Sequence, residues 1–258
     1  MSALSARELA EDAGAWAPAL PGAELIRTDR YALFLGAAPH LAFAQRLRLE
    51  PETVAATVAE VEQLAADRAH DPPSWWVSES SEPAGLGERL QELGLVPTER
   101  LKAMALEQPP AGEPTLDVRR VTSFDEFRAM LEITWEAFEV TEEKRAPMRE
   151  RLPESWKARG NLDGAANYLA YDEGRPVAAG SAEFLPGGVF LAGGATLPDA
   201  RGRGAYTSLV HARWHAAVER GTPLLVVQAM EDAARVLERL DFETVARIQL
   251  YERPPEAP

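Results

Sequence analysis

The amino-acid sequence predicts an α/β protein built from two successive halves. Three observations predict it: strand-like runs alternate with amphipathic helical runs along the 258 residues, a proline-rich segment interrupts them, and a glycine loop joins an apolar strand to a helix in the second half. The interruption is Gln108-Pro109-Pro110-Ala111-Gly112-Glu113-Pro114, where three prolines and a glycine in seven residues exclude both helix and ladder pairing. This linker sets the expected domains at 1–108 and 115–258.

In the first half, strands are expected over 24–35 and 40–49, and an amphipathic helix over 51–69 opened by Pro51. A strand over 74–78, a helix over 86–93 and a strand over 95–106 complete it. The second half opens with a strand over 115–121, then Ser123 as a helix N-cap with Glu126 three residues on, a capping box. Another helix is expected over 141–157. Strands over 167–172 and 176–184 form a hairpin through Glu173-Gly174-Arg175, and a strand over 189–197 follows the turn Pro186-Gly187-Gly188. Beyond the glycine loop, a helix over 205–220 is stopped by Gly221 and Pro223; a strand over 224–229, a helix over 232–240 and a strand over 242–251 follow. The halves end alike: Leu90-Gln91-Glu92-Leu93-Gly94-Leu95 precedes a strand and Pro109-Pro110, as Leu237-Glu238-Arg239-Leu240-Asp241-Phe242 precedes a strand and Pro254-Pro255. A tandem repeat is one reading and a chance likeness of helix–strand junctions the other.

Net charge is −14, from 41 acidic and 27 basic residues spread over both halves. Such a surface repels phosphate backbones and anionic lipid, so no nucleic-acid or membrane partner is expected; attraction of a cationic substrate is one reading of the charge and simple solubility the other. No run approaches the roughly 20 apolar residues of a membrane span, and residues 1–11 lack the basic-then-apolar order of a signal peptide, so a cytoplasmic location is expected. The absence of cysteine excludes disulfides, thiolate metal sites and cysteine nucleophiles. Among His40, His70, His211 and His215, the last two sit four apart on one helix face. That pair lacks the glutamate of a His-Glu-x-x-His site and a third ligand, so no metal is expected. Trp75-Trp76 reads as part of a buried strand, and no residue argues for a particular oligomeric state.

The chemistry concentrates in Ala195-Thr196-Leu197-Pro198-Asp199-Ala200-Arg201-Gly202-Arg203-Gly204-Ala205. Glycines let the backbone turn its N–H groups inward and admit a bulky phosphate, the helix N-terminus adds partial positive charge, and Arg201 and Arg203 add full charges. Together they suit a diphosphate. A P-loop is excluded because Ala205-Tyr206 follow Gly204 where Lys and Ser or Thr are required. The dinucleotide fingerprint fails because Thr207 takes the third glycine position.

The loop resembles the acyl-CoA pyrophosphate loop of the GNAT superfamily, whose pattern is Arg or Gln, two residues, Gly, one residue, then Gly or Ala. Arg201 and Gly204 match, and Tyr206 holds the final position; Gly202, Leu197-Pro198-Asp199 and the order of elements over 115–251 are also similar to the family. The resemblance implies two GNAT-like domains, each a mixed, mostly antiparallel sheet flanked by helices. It implies that main-chain groups of Ala195, Thr196 and Leu197 hold the pantetheine arm of acetyl-CoA or another acyl-CoA. Arg201 and the amides of Gly202, Arg203, Gly204, Ala205, Tyr206 and Thr207 would bind the pyrophosphate. The implied reaction is transfer of the acyl group to a primary amine of a small molecule or peptide. The amine attacks the thioester directly, a strand amide stabilises the oxyanion, and an acidic side chain or water takes the ammonium proton.

Leu237 stands where the family often has a tyrosine to protonate the leaving thiolate, and Asp241 replaces the usual glycine before Phe242. Tyr206 and Tyr251 are the candidate substitutes, with a packed, hydrogen-bonded tyrosine the alternative for each. Glu183 is the candidate general base and an exposed strand glutamate the alternative; Glu136 and Glu139 are second candidates. In the first half the corresponding segment is Leu49-Glu50-Pro51-Glu52-Thr53, which has no glycine and would set Glu50 and Glu52 against a diphosphate. That half is therefore expected to be degenerate and not to bind acyl-CoA. A rival reading, motivated by Leu237, is a non-catalytic acyl-CoA sensor or partner-binding protein of the same fold.

Overall fold

The computed structural model describes residues 4–18, 22–159 and 163–254. Elements are numbered in chain order. Two compact units interleave along the chain: one contains Ala105–Val227 and Leu237–Glu243, the other Ser5–Met104, Gln228–Val236 and Thr244–Pro258. The last strand therefore groups with the first half, where a cut at the linker assigns it to the second.

The unit containing Ser5–Met104 begins with two helices, α1 (Ala6–Glu11) and α2 (Ala13–Trp16), that the sequence analysis does not anticipate. The signal is present: the Ser5 hydroxyl accepts the Glu8 N–H, and the Glu8 carboxylate accepts the Ser5 N–H, a capping box. The strand expected over 24–35 is two strands, β1 (Glu24–Arg27) and β2 (Ala32–Leu35), paired antiparallel. Between them the Thr28 N–H donates to the Tyr31 carbonyl and the Thr28 hydroxyl accepts the Arg30 N–H, so a side chain builds the turn. β3 (Ala42–Gln45) is shorter than expected because Arg46, at φ 53°, ends it. α3 (Val54–Ala66) then crosses to β4 (Ser74–Ser78), parallel to β3.

α4 (Leu86–Glu92), β5 (Val96–Leu106) and β11 (Glu243–Glu252) complete this unit's sheet, in the order β1-β2-β3-β4-β11-β5. Antiparallel register sets Trp76 opposite Leu250 and Trp75 opposite Tyr251. The core gathers Val54, Val58, Val61 and Ala65 of α3, at helical spacing, with Leu33, Leu35, Trp75, Leu86 and Leu90.

This unit also buries a carboxylate. Asp12 is 4% exposed, accepts the Arg46 N–H at 2.9 Å, and has Arg48 at 3.9 Å. Burial pushes its pKa up to about 6, with the Arg46 hydrogen bond and the Arg48 charge opposing. A raised folded-state value means the native state holds the proton more tightly than the unfolded chain does. This contribution therefore falls as pH rises from ~4 to ~6 and is level above. Asp12→Asn should stabilise the protein by about 1–2 kcal/mol at pH 7.5, with the gain vanishing near pH 4. Urea unfolding at both pH values checks this; a gain equal at the two would rule out titration of Asp12 as its source.

The other unit contains β6 (Asp117–Arg120), α5 (Phe124–Ala137), α6 (Glu142–Glu150), α7 (Leu152–Arg159), β7 (Ala165–Asp172), β8 (Arg175–Leu185) and β9 (Gly188–Thr196). α8 (Ala205–Glu219), the start of β10 (Leu225–Ala229) and the end of α9 (Glu231–Glu238) belong with them. Their sheet runs β6-β7-β8-β9-β10, antiparallel except for the parallel β9–β10 pair. The Ser123–Glu126 capping box forms as expected. The helix expected over 141–157 is two, because Pro153 in the first turn of α7 cannot donate to a continuous ladder. Glu173 and Gly174, at φ 48° and 83°, make the tight β7–β8 turn. Val177, Ala178 and Ala179 are all buried although they alternate across the sheet, so both faces of β8 are covered; α5 and α8 both pack on it. Among the described residues, no helix is long and apolar enough to cross a membrane.

Candidate functional site

The site forms where β9 leaves its parallel neighbour. Among the described residues, β9 and β10 are in register only at Val189 with Leu225 and Phe190 with Val226. β9 continues to Thr196 while still paired to β8 on its other edge, so one edge of residues 191–196 is released from the sheet. The register shifts from Ser181–Ala192 to Gly180–Gly194, which leaves Gly193 as an inserted residue at φ 54°. A bulge of this kind turns backbone polar groups out of the ladder.

Gly180 and Gly194 are cross-strand partners, and the two make one hollow. A β-carbon on Gly194 would stand 2.7 Å from the Tyr206 ring, and one on Gly180 would stand 3.1 Å from Nη1 of Arg213. α8 fills this hollow with both side chains. Arg213 is fully buried; its Nε donates to the Leu209 carbonyl and its Nη1 to the Ser181 carbonyl, while Nη2 has no acceptor. Desolvation pulls its pKa below the ordinary arginine value, and Tyr206 opposes that pull.

Beyond Thr196 a single turn, Pro198–Ala200, leads to the glycine loop, anchored by the Leu197 N–H on the Val177 carbonyl at 3.0 Å. Gly204 caps α8 at φ 82°, a left-handed conformation that glycine adopts without strain. Among the described residues, the N–H groups of Gly204, Ala205, Tyr206 and Thr207 have no acceptor within the chain. Four such donors at the head of a 15-residue helix make an anion cradle. Arg203 is held by Asp172 at 2.6 Å, and the neighbouring Asp199 by Arg175 at 2.7 Å. Arg201 is exposed and makes no ion pair among the described residues.

The structure thus brings together Ala195, Thr196, Leu197 and the run from Arg201 to Thr207 on one strand–turn–helix. It does not bring Glu183 to them: Glu183 pairs with Phe190, six residues before Thr196, or roughly 20 Å along β9. Tyr206 lies against Gly194, with the Arg213 guanidinium carbon 5.8 Å from its ring centroid. Tyr251 packs on Gly87, where a β-carbon would meet its hydroxyl. Leu237 is fully buried. Thr115 and Ser208, which touch the loop, escape the sequence reading; the Gly193-Gly194 pair inside an apolar strand was the available signal for the bulge. No group of three His, Cys, Asp or Glu residues that could hold a metal occurs among the described residues.

Residues 127–242, which include this strand–turn–helix, match the acetyltransferase (GNAT) family. The chain has the GNAT fold. The likeness spans both halves. A GCN5-related N-acetyltransferase from Kribbella flavida superposes with a TM-score of 0.72 at 18% identity, over 99% of this chain and 98% of that one. A tandem GNAT protein from the clavulanic acid biosynthesis pathway gives 0.61 at 18% identity, over 93% and 86%. A GCN5-related N-acetyltransferase from Sphaerobacter thermophilus gives 0.56 at 17%, over 87% and 80%. No curated protein matches the chain. The GNAT architecture is therefore tandem, with a first half diverged beyond the reach of the family match. The match supports acyl transfer from acyl-CoA in general.

Proposed function

We propose that residues 115–258 act as an N-acyltransferase that moves an acetyl group from acetyl-CoA to a primary amine of a small molecule or peptide. The observation that carries this is the run of unengaged N–H donors at the head of α8, reached directly from the released edge of β9. A diphosphate fits the donors, and an extended pantetheine arm fits the free edge that runs through Ala195 and Thr196 to Leu197, whose own N–H is held by the Val177 carbonyl. Arg201 would add a full charge without first breaking an ion pair. In the transfer the amine nitrogen forms its bond to the acyl carbon as the carbon–sulfur bond breaks; the ammonium loses a proton and the thiolate gains one. Glu183 and Tyr206 are the candidate proton carriers.

The first half, 1–108, is the degenerate partner. After its β3, the Arg46 N–H is taken by Asp12, the Leu49 N–H by the Glu82 carbonyl, and the Glu82 N–H by the Leu47 carbonyl. At the head of its α3 the chain offers no glycine and sets Glu50 and Glu52 where a diphosphate would have to bind.

Calorimetric titration of acetyl-CoA, with NAD and ATP as controls, tests the donor site. Arg201→Ala should weaken binding by about tenfold, the worth of one charge-assisted hydrogen bond. Unchanged affinity in a folded Arg201→Ala variant would remove Arg201 from the site. The buried Leu237 favours a second reading, an acyl-CoA sensor without turnover. Thiol release from acetyl-CoA in the presence of an amine library separates the two, since a sensor binds and releases none.

A further inference from the structure

The glycine loop is braced by the linker. Thr115, the first residue after the proline-rich segment, donates its hydroxyl to the Arg203 carbonyl at 3.1 Å. Its backbone N–H and that of Leu116 both donate to the Ser208 hydroxyl at 3.0 Å. Ser208, 1% exposed on the second turn of α8, donates in turn to the Gly204 carbonyl at 3.0 Å. A hydroxyl has one proton and two lone pairs, so Ser208 is saturated. Close by, the Ala111 N–H donates to the Leu240 carbonyl, and Gly112 lies beside the Thr207 methyl.

Peptide planarity gives these bonds a consequence for the donors on the other side of the loop. In a trans peptide the C=O and the following N–H point in opposite directions. Holding the Arg203 carbonyl on Thr115 therefore aims the Gly204 N–H away from the linker, and holding the Gly204 carbonyl on Ser208 does the same for the Ala205 N–H. Without these anchors a glycine-rich loop can rotate its peptide planes at little cost. The fit leaves no room to spare, because a β-carbon on Gly204 would stand 2.2 Å from the Thr115 hydroxyl.

We infer that Thr115 and Ser208 are positioning residues for the acyl-CoA diphosphate, and that the point where the chain leaves the linker is a working part of the donor site. The inference rests on the acyl-CoA reading above. The test is calorimetry on the intact chain with acetyl-CoA and with 3′-phospho-ADP, which carries the diphosphate but no pantetheine arm. Thr115→Val keeps the shape and removes the hydroxyl, Ser208→Ala removes the hub, and Thr115→Ser restores the donor. Thr115→Val should bind both ligands about 5- to 20-fold more weakly at unchanged melting temperature, Ser208→Ala should lose as much affinity with a lowered melting temperature because two backbone N–H groups lose their acceptor, and Thr115→Ser should bind as the parent does. Parent-like affinity in folded Thr115→Val, or equal losses in Thr115→Ser and Thr115→Val, would overturn the inference and leave the acyl-CoA reading intact. Failure of the parent protein to bind acetyl-CoA would overturn both.

Discussion

A fragment ending at Gln108 should show no cooperative unfolding transition, although it contains every residue of the first half up to the linker. The reason is β11, which stands between β4 and β5 in that unit's sheet. Removing it deletes the two large buried aliphatics Ile248 and Leu250 together with buried Ala246, and takes Tyr251 from its place on Gly87. It also removes the Arg253–Glu62 pair at 2.6 Å and the ladder bonds on both edges of the strand. Two buried aliphatics contribute about 2–3 kcal/mol each and net ladder bonds about 1 kcal/mol each, a total comparable to the whole stability of a typical domain. Circular dichroism and urea titration of the fragment measure this. A synthetic peptide covering 243–254 should restore the transition when added in trans. A sharp transition in the fragment alone would show that β11 is dispensable there.

The second large effect is expected at Arg213. Arg213→Ala should destabilise by about 3–4 kcal/mol, whereas Arg213→Met should cost less than ~1.5 kcal/mol. Alanine empties the hollow over Gly180 and strips support from Tyr206, which already rests on Gly194. Methionine refills most of that volume without burying a charge, and the orphan Nη2 disappears with it. Among the described residues no carboxylate pairs with the guanidinium, whose hydrogen-bond acceptors are the Leu209 and Ser181 carbonyls, so the charge itself contributes little net stability. Equal losses in the two variants, read from urea midpoints at constant slope, would show instead that those carbonyls require a cationic donor.

What the sequence disclosed follows the range of the interactions involved. Capping at Ser123, the tight turn at Glu173-Gly174 and the glycine turn that opens α8 at Gly204 are set by residues a few positions apart, and all are legible in the sequence. The turn at Thr28 and the capping box at Ser5 are just as local, but they flank elements of only four to six residues, too short to show a periodic run beside them. The pairing of β4 with β11 joins Trp76 to Leu250, and the brace on the glycine loop joins Thr115 to Ser208. Neither leaves a periodic trace, because each requires chain segments far apart in sequence to meet. Glu183 is a candidate by residue type, and its ladder position opposite Phe190 becomes known only once the strands are paired.

The grouping of β11 with the first half also orders events during synthesis. β4 and β5 leave the ribosome more than a hundred residues before β11. At translation speeds of 5–20 residues per second, the gap that β11 will occupy waits on the order of ten seconds. For that interval the first half exposes unfilled strand edges beside Trp75 and Trp76, the kind of surface that other nascent chains can pair with. Its native state thus waits on the synthesis of β11, and its yield in a cell should depend on chaperone supply more than on the intrinsic folding speed of its helices.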